Sequence, residues 1–186
     1  NGTTNFILTE MRDKGLAFDA VLGEAQRLGY AEADPSFDVD GVDAGHKLSI
    51  LAALCFGTRL DIGAVTASGI RNLIAADIRE AEALGHRVRL IGMAERDANG
   101  LYQHVQPCLV PADHPLAYVP GALNAVVAEG NFVGRLFGAV PKSGDRRVDV
   151  FASSPHATRD SAAGEREVSA ARSGPTAKPC PSRRWQ

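Results

Sequence analysis

The sequence predicts an α+β fold, a mainly antiparallel sheet with helices packed on one face. Three observations carry this. Apolar residues recur at helical spacing before Gly57; two β-rich runs, Val88 to Ala94 and Leu101 to Val110, flank Asp97-Ala98-Asn99-Gly100; and a second pair of short runs brackets Glu129-Gly130-Asn131. Amphipathic helices beside hairpins bury their apolar faces by layering on the sheet.

Taken in order, the first helix is expected from about Thr4 to Asp13, capped by Thr3 or Thr4 and ended near Gly15. A second, Phe18 to Leu28, places Val21, Leu22, Ala25 and Leu28 on one face and ends at Gly29. Pro35 fixes its own φ and biases Asp34 towards extended backbone, so residues 30 to 40 read as an irregular loop. Asp40 then reads as the cap of a helix carrying Leu48, Leu51, Ala52 and Cys55 on its apolar face, stopped by Gly57. Ile62 to Val65 suggests a short strand. Asn72 to Leu84 suggests a helix with Ile74, Ile78, Ala81 and Leu84 inward and Gly85 beyond its end. The Val88 to Val110 hairpin follows, then a loop punctuated by Pro111, Pro115 and Pro120. A second hairpin joins Ala125 to Ala128 with Phe132 to Phe137.

The chain has 186 residues, 45% of them hydrophobic, and a net charge of −2, which suits one soluble domain with a core. So balanced a charge gives no reason to expect nucleic acid or an acidic membrane surface as partner. Cys55, Cys108 and Cys180 are few, odd in number and without metal-ligand spacing, so a reducing, cytoplasmic setting is the default. The five His residues form no H-x3-H or H-E-x2-H pattern, and no metal site is expected. No apolar run approaches a membrane span, and no signal-peptide pattern opens the chain. From Gly138 onward Leu, Ile and Met are absent and half of the ten Pro residues occur. Residues 138–186 are therefore expected to be a tail, disordered because it buries too little apolar surface to offset the entropy of ordering.

The chemistry concentrates between Gly29 and Lys47, in GYAEADPSFDVDGVDAGHK. Glu32, Asp34, Asp38, Asp40 and Asp43 surround Lys47, whose only possible cationic companion is His46. So many carboxylates make a poor core, since each buried charge needs a partner or a shifted pKa. Asp43 and Lys47, four apart, share one helix face. Three readings compete. One is a solvated helix start with an ordinary ion pair. Another is a calcium loop, because Ser36, Asp38, Asp40 and Gly41 mimic the start of an EF-hand; it fails because Lys47, whose ammonium would repel the ion, stands where that loop needs a bidentate Glu. The third is a lysine acid held by Asp43, donating a proton to a reacting oxygen.

Ala25, Gly29, Tyr30, Ala31, Asp34, Pro35, Asp38, Val39, Gly41, Asp43 and Lys47 sit at the spacings A-x3-G-Y-A-x2-D-P-x2-D-V-x-G-x-D-x3-K. This pattern resembles the signature of homoserine dehydrogenases. The opening Asn1-Gly2-Thr3-Thr4-Asn5-Phe6-Ile7-Leu8 is similar to the segment that begins their catalytic region, and the likeness extends through Gly69-Ile70, Asp77-Ile78, Leu116-Ala117 and Asn124-Ala125-Val126 to about Phe137. The resemblance makes residues 1–137 a catalytic, substrate-binding domain. It implies hydride transfer between NADP or NAD and aspartate 4-semialdehyde, giving homoserine, on the way to threonine, methionine and isoleucine.

Under that resemblance Lys47 and Asp43 are the catalytic candidates and Glu32 meets the substrate ammonium. Asp38, Tyr30, Thr3 and Gly2 are further candidates for the substrate wall, a homo-oligomer is expected at full length, and the tail departs from the family's helix. Asn1 stands where a translation product has Met, and no strand is followed by G-x-G-x-x-G and a helix. The chain is thus expected to be a fragment whose cofactor is held mainly by an absent domain, with a lost reading frame near Gly138 as one origin of the tail. An inactive remnant that only folds or self-associates is the alternative.

Overall fold

Helix α1 (Gly2–Lys14) starts earlier than the apolar spacing predicts, because Asn1 rather than Thr3 or Thr4 caps it: its side-chain oxygen accepts from the Thr4 N–H at 3.1 Å. The computed structural model describes residues 1–119, 123–131, 134–140 and 149–153. Helix α2 (Phe18–Arg27) buries Phe18, Val21 and Ala25, whereas Leu28, expected inward, lies beyond its end and is exposed.

Within the stretch expected as an irregular loop, residues 30–35 are irregular and one helical turn follows, α3 (Ser36–Val39). Pro35 is suited to opening it, with its φ preset and its carbonyl accepting from the Asp38 and Val39 N–H groups at 3.0 and 2.9 Å. Helix α4 (Val42–Phe56) follows, and its cap is Gly41, not Asp40. Gly41 adopts φ 83°, and a Cβ there would lie 3.2 Å from Val105 Cγ1, so glycine meets both the turn and the contact. Asp40 is engaged elsewhere: Arg71 donates to it through Nε at 2.5 Å and Nη2 at 3.1 Å. The buried face of α4 is Gly45, Leu48, Ser49 and Ala52; Leu51 and Cys55, expected inward, are exposed.

The short strand falls at β1 (Val65–Ala67), slightly beyond the predicted stretch. Helix α5 (Ala75–Ala83) buries Ile78 and Ala81 and leaves Ile74 and Leu84 exposed. Strands β2 (His86–Arg96) and β3 (Leu101–Pro111) form the expected antiparallel hairpin, in register from His86 opposite Pro111 to Arg96 opposite Leu101. Strand β1 joins the far side of β3 in parallel, giving the order β1-β3-β2. A second antiparallel sheet, β4-β5-β6, is built from β4 (Asn124–Gly130), β5 (Gly134–Val140) and β6 (Asp149–Ser153). The expected tail boundary at Gly138 falls inside β5, and β6 lies beyond it. Residues 141–148 and 154–186, on which most of the tail expectation rests, lie outside the described residues.

The architecture is α+β with mainly antiparallel pairing and helices on one face, as the periodicities predict, divided between two sheets. One core joins Ile7 and Met11 of α1, Val21 and Ala25 of α2, Val39, Ile70, Ile78 and Val88. Alternation along β2 puts Arg89 and Ile91 on the opposite face, where Cys108 and Val110 pack with Ala117 of a 3-10 helix (Pro115–Tyr118). Arg89 is buried there and donates Nη2 to the Ala117 and Val119 carbonyls at 2.8 and 3.0 Å. No helix among the described residues is long and apolar enough to cross a membrane.

Candidate functional site

The start of α1, the single turn α3, the first turns of α4 and the start of β4 converge on one polar cluster. Thr3 is buried, and its hydroxyl lies 2.8 Å from the Tyr30 carbonyl and 2.7 Å from Asp38 Oδ2, so its one proton can go to either acceptor. The Asn1 side-chain nitrogen donates to Asp38 Oδ1 at 2.5 Å and to Asp43 Oδ2 at 2.8 Å. Lys47 Nζ reaches the same Asp43 oxygen at 2.8 Å. Four of the residues singled out by sequence, Thr3, Asp38, Asp43 and Lys47, thus belong to one hydrogen-bonded chain. The ion pair at its end is graded in exposure, with the Asp43 side chain 20% and the Lys47 side chain 58% accessible. The carboxylate is held while the ammonium faces outward.

The other three candidates stand differently. Gly2 is buried in the first turn of α1. Tyr30 takes part through its carbonyl, and its ring stacks on Phe6 with centroids 4.5 Å apart and planes at 23°. Glu32 is exposed; its carbonyl accepts from Gln26 Nε2 at 3.0 Å, while its carboxylate has no described partner. That leaves a free carboxylate on the loop before α3. A cavity of about 230 Å³ lies between the starts of α2 and α5, lined by Phe18, Asp19, Arg71 and Ile74, and does not include Lys47. That cavity is separate from the lysine cluster.

Hydrogen bonds to Asp34 and Asp40 tie the loop that leads into α4. Ser36 donates to Asp34, its N–H lying 3.0 Å from Oδ1, and these bonds hold the Asp34 carboxyl below the usual carboxylate range. Arg71 donates to Asp40 and, at 2.8 Å, to Ser36 Oγ, and the Asp40 bond raises its pKa. Sequence reasoning missed three residues here. Arg71 lies far along the chain from Asp40, and no local spacing connects them. Asn1 is readable as a helix cap, but nothing local says where the second end of its amide points. Asn124, whose Oδ1 accepts from the Asn1 backbone nitrogen at 2.7 Å, reaches the site only through tertiary packing. No group of three or more His, Cys, Asp or Glu among the described residues is placed to hold a metal ion.

Comparison with known proteins assigns this arrangement to a lineage. A family model described as homoserine dehydrogenase matches residues 1–148. The homoserine dehydrogenase of Pseudomonas aeruginosa is 52% identical over 134 residues, covering 72% of this chain and 31% of that protein. A crystal structure of a homoserine dehydrogenase from Thiobacillus denitrificans superposes with a TM-score of 0.75 at 51% identity, covering 77% of this chain and 33% of the other. A hyperthermophilic archaeal homoserine dehydrogenase mutant, solved in complex with NADPH, is 31% identical with a TM-score of 0.61, over 78% of this chain and 40% of that one. The chain spans about a third of the length of the relatives it matches. A family match over most of the residues, and a shared fold at half-identical sequence, place this chain in the homoserine dehydrogenase family.

Proposed function

We propose that this chain supplies the substrate-side acid of a homoserine dehydrogenase, which interconverts aspartate 4-semialdehyde and homoserine with NADPH or NADH. The observation that carries the reading is Lys47 Nζ at 2.8 Å from Asp43 Oδ2, with the ammonium outward at the start of a rigid helix. The nicotinamide, when bound, supplies the hydride. Among the described residues no glycine-rich turn joins a strand to a helix N-terminus, and Asp77 already occupies the start of α5 by accepting from the Ile74 N–H. The described residues therefore offer no cradle for the pyrophosphate. What its residues supply is binding, orientation and proton handling.

Hydride arrival at the aldehyde carbon leaves charge on oxygen, and a positioned ammonium both stabilises that charge and delivers the proton completing the alcohol. Lys47 has the reach and the exposure for this, and Asp43 fixes its direction. The free carboxylate of Glu32 suits the substrate's own ammonium. Asp38, tied to α1 through Asn1 and Thr3, is a further candidate for the substrate wall. A chimera carrying residues 1–137 in place of the matching third of the Pseudomonas aeruginosa enzyme tests the assignment. Lys47→Ala in that chimera should cut turnover by about two orders of magnitude or more. Near-normal turnover would remove Lys47 from the chemistry.

The span of about a third of the relatives' length favours a second reading for the chain by itself: it folds and does not turn over. Assaying the 186-residue chain with NADPH and aspartate 4-semialdehyde tests it. No oxidation of NADPH, with a folded circular dichroism spectrum, supports the inactive reading, and sustained NADPH oxidation rejects it.

A further inference from the structure

We propose that Asn1 is a positioning residue: its side-chain amide, oriented by the α1 cap, holds the Asp38 and Asp43 carboxylates together and so sets the direction in which Lys47 presents its ammonium. The proposal rests on the reading of Lys47 as the substrate-side acid and adds to it the group that aligns the pair. Three hydrogen bonds determine which way the amide lies. The Thr4 N–H needs an acceptor, and Asn1 Oδ1 is 3.1 Å from it. Asp38 Oδ1 and Asp43 Oδ2 need donors, and Asn1 Nδ2 is 2.5 and 2.8 Å from them. Turning the amide over would set its oxygen against two carboxylates and its protons against a donor, so one orientation alone satisfies all three.

The backbone of Asn1 is pinned as well. Its nitrogen donates to Asn124 Oδ1 at 2.7 Å, and its carbonyl accepts from Thr4 Oγ1 at 3.0 Å. An NH2 group so held is a fixed two-proton clamp between the end of α3 and the first turn of α4. Its neutrality matters. A cation in this place would compete with Lys47 for Asp43, whereas an amide satisfies one lone pair of each carboxylate and leaves the charge of Asp43 for the lysine. Without the clamp, two like charges on separate elements repel, and Asp43 is free to swing with its lysine.

Asn, Asp and Ser all cap helices by accepting from the backbone, but they carry two, none and one side-chain protons to donate. In the chimera described above, Asn1→Ser should lower kcat moderately and Asn1→Asp by about tenfold to a hundredfold, as expected when an acid is slightly misaimed. A role confined to the helix cap predicts three equal rates, and that result overturns the proposal. Loss of turnover in Lys47→Ala with full turnover in Asn1→Asp rejects the clamp and keeps the acid. A second readout needs no activity. In the 186-residue chain the Asn1 side-chain protons should exchange slowly with solvent, and the double substitution Asp38→Ala, Asp43→Ala should abolish that protection. Rapid exchange in the unsubstituted chain overturns the proposal whatever Lys47 does.

Discussion

Gly69 lies directly against the carbonyl of Val39: a Cβ built on it would sit 2.1 Å from that oxygen and 2.4 Å from Asp40 Cα. The contact is sealed by the Ile70 N–H, which donates to the Val39 carbonyl at 2.8 Å. No side chain can be accommodated without moving backbone, and the backbone concerned is the junction between α3 and α4 that carries Asp38 and Asp43. Gly69→Ala should therefore destabilise the fold by about 2–3 kcal/mol, as overpacking does. In the chimera it should lower turnover by more than the loss of folded protein explains. Urea midpoints and specific activity measured together check this; an unchanged midpoint would show that the junction yields.

What was legible in the sequence follows the range of the interactions. The β2/β3 hairpin is written in local alternation and the turn Asp97-Ala98-Asn99-Gly100, where Asp97 Oδ1 accepts from the Asn99 and Gly100 N–H groups. Asp43 and Lys47 are one turn apart, so their contact follows from helix geometry. The α4 cap was not legible, because Asp40 is drawn off by Arg71, distant in sequence, and Gly41 takes its place. Leu28, Leu51 and Leu84 read as inward by period yet are exposed, since apolar character permits burial without requiring it. The three-residue strand β1 pairs in parallel with β3 and has too few residues to show a period of its own. At the site, Lys47 was readable and its alignment was not: the amide between Asp38 and Asp43 comes from the start of another helix.

Arg89 is a buried cation whose named hydrogen-bond partners are carbonyls rather than a carboxylate. Burial, with the Arg12 and Arg87 charges adding, lowers its pKa to about 10, so it remains protonated at neutral pH. Its bonds to the Ala117 and Val119 carbonyls fasten the 3-10 helix to the face of β2 away from the helices. Arg89→Met removes the desolvation cost but strips both carbonyls of a charged donor. The second effect should win, with a net loss of about 1–3 kcal/mol in urea unfolding. A neutral or stabilising result would mean that solvent replaces the guanidinium at both carbonyls.

His114 caps the same 3-10 helix through Nδ1, which accepts from the Leu116 N–H at 3.2 Å, so the bond needs the neutral ring. Burial first, and the Arg135 charge second, lower its pKa from the ordinary 6.5, while Asp113 and Glu129 oppose them. The unfolded chain therefore takes up this proton at higher pH than the folded one. The contribution is complete above about pH 6.5 and is lost progressively as pH falls through the folded pKa. His114→Asn keeps an acceptor at the cap and does not titrate in this range. Between pH 7 and 5 the urea midpoint of the unsubstituted chain should fall relative to that of the variant; parallel profiles would dissociate His114 from acid sensitivity.

Lys47→Arg separates charge from proton transfer. An arginine at this position keeps a cation one helical turn from Asp43 and retains the attraction for a developing alkoxide, so substrate affinity should change little. A guanidinium holds its proton too tightly to give it up near neutral pH, and its broad planar head cannot occupy the point that an ammonium does. If the ammonium of Lys47 both stabilises and protonates the oxygen, kcat in the chimera should fall by about two orders of magnitude, with KM nearly unchanged. If it only stabilises charge, arginine should rescue most of the rate lost in Lys47→Ala.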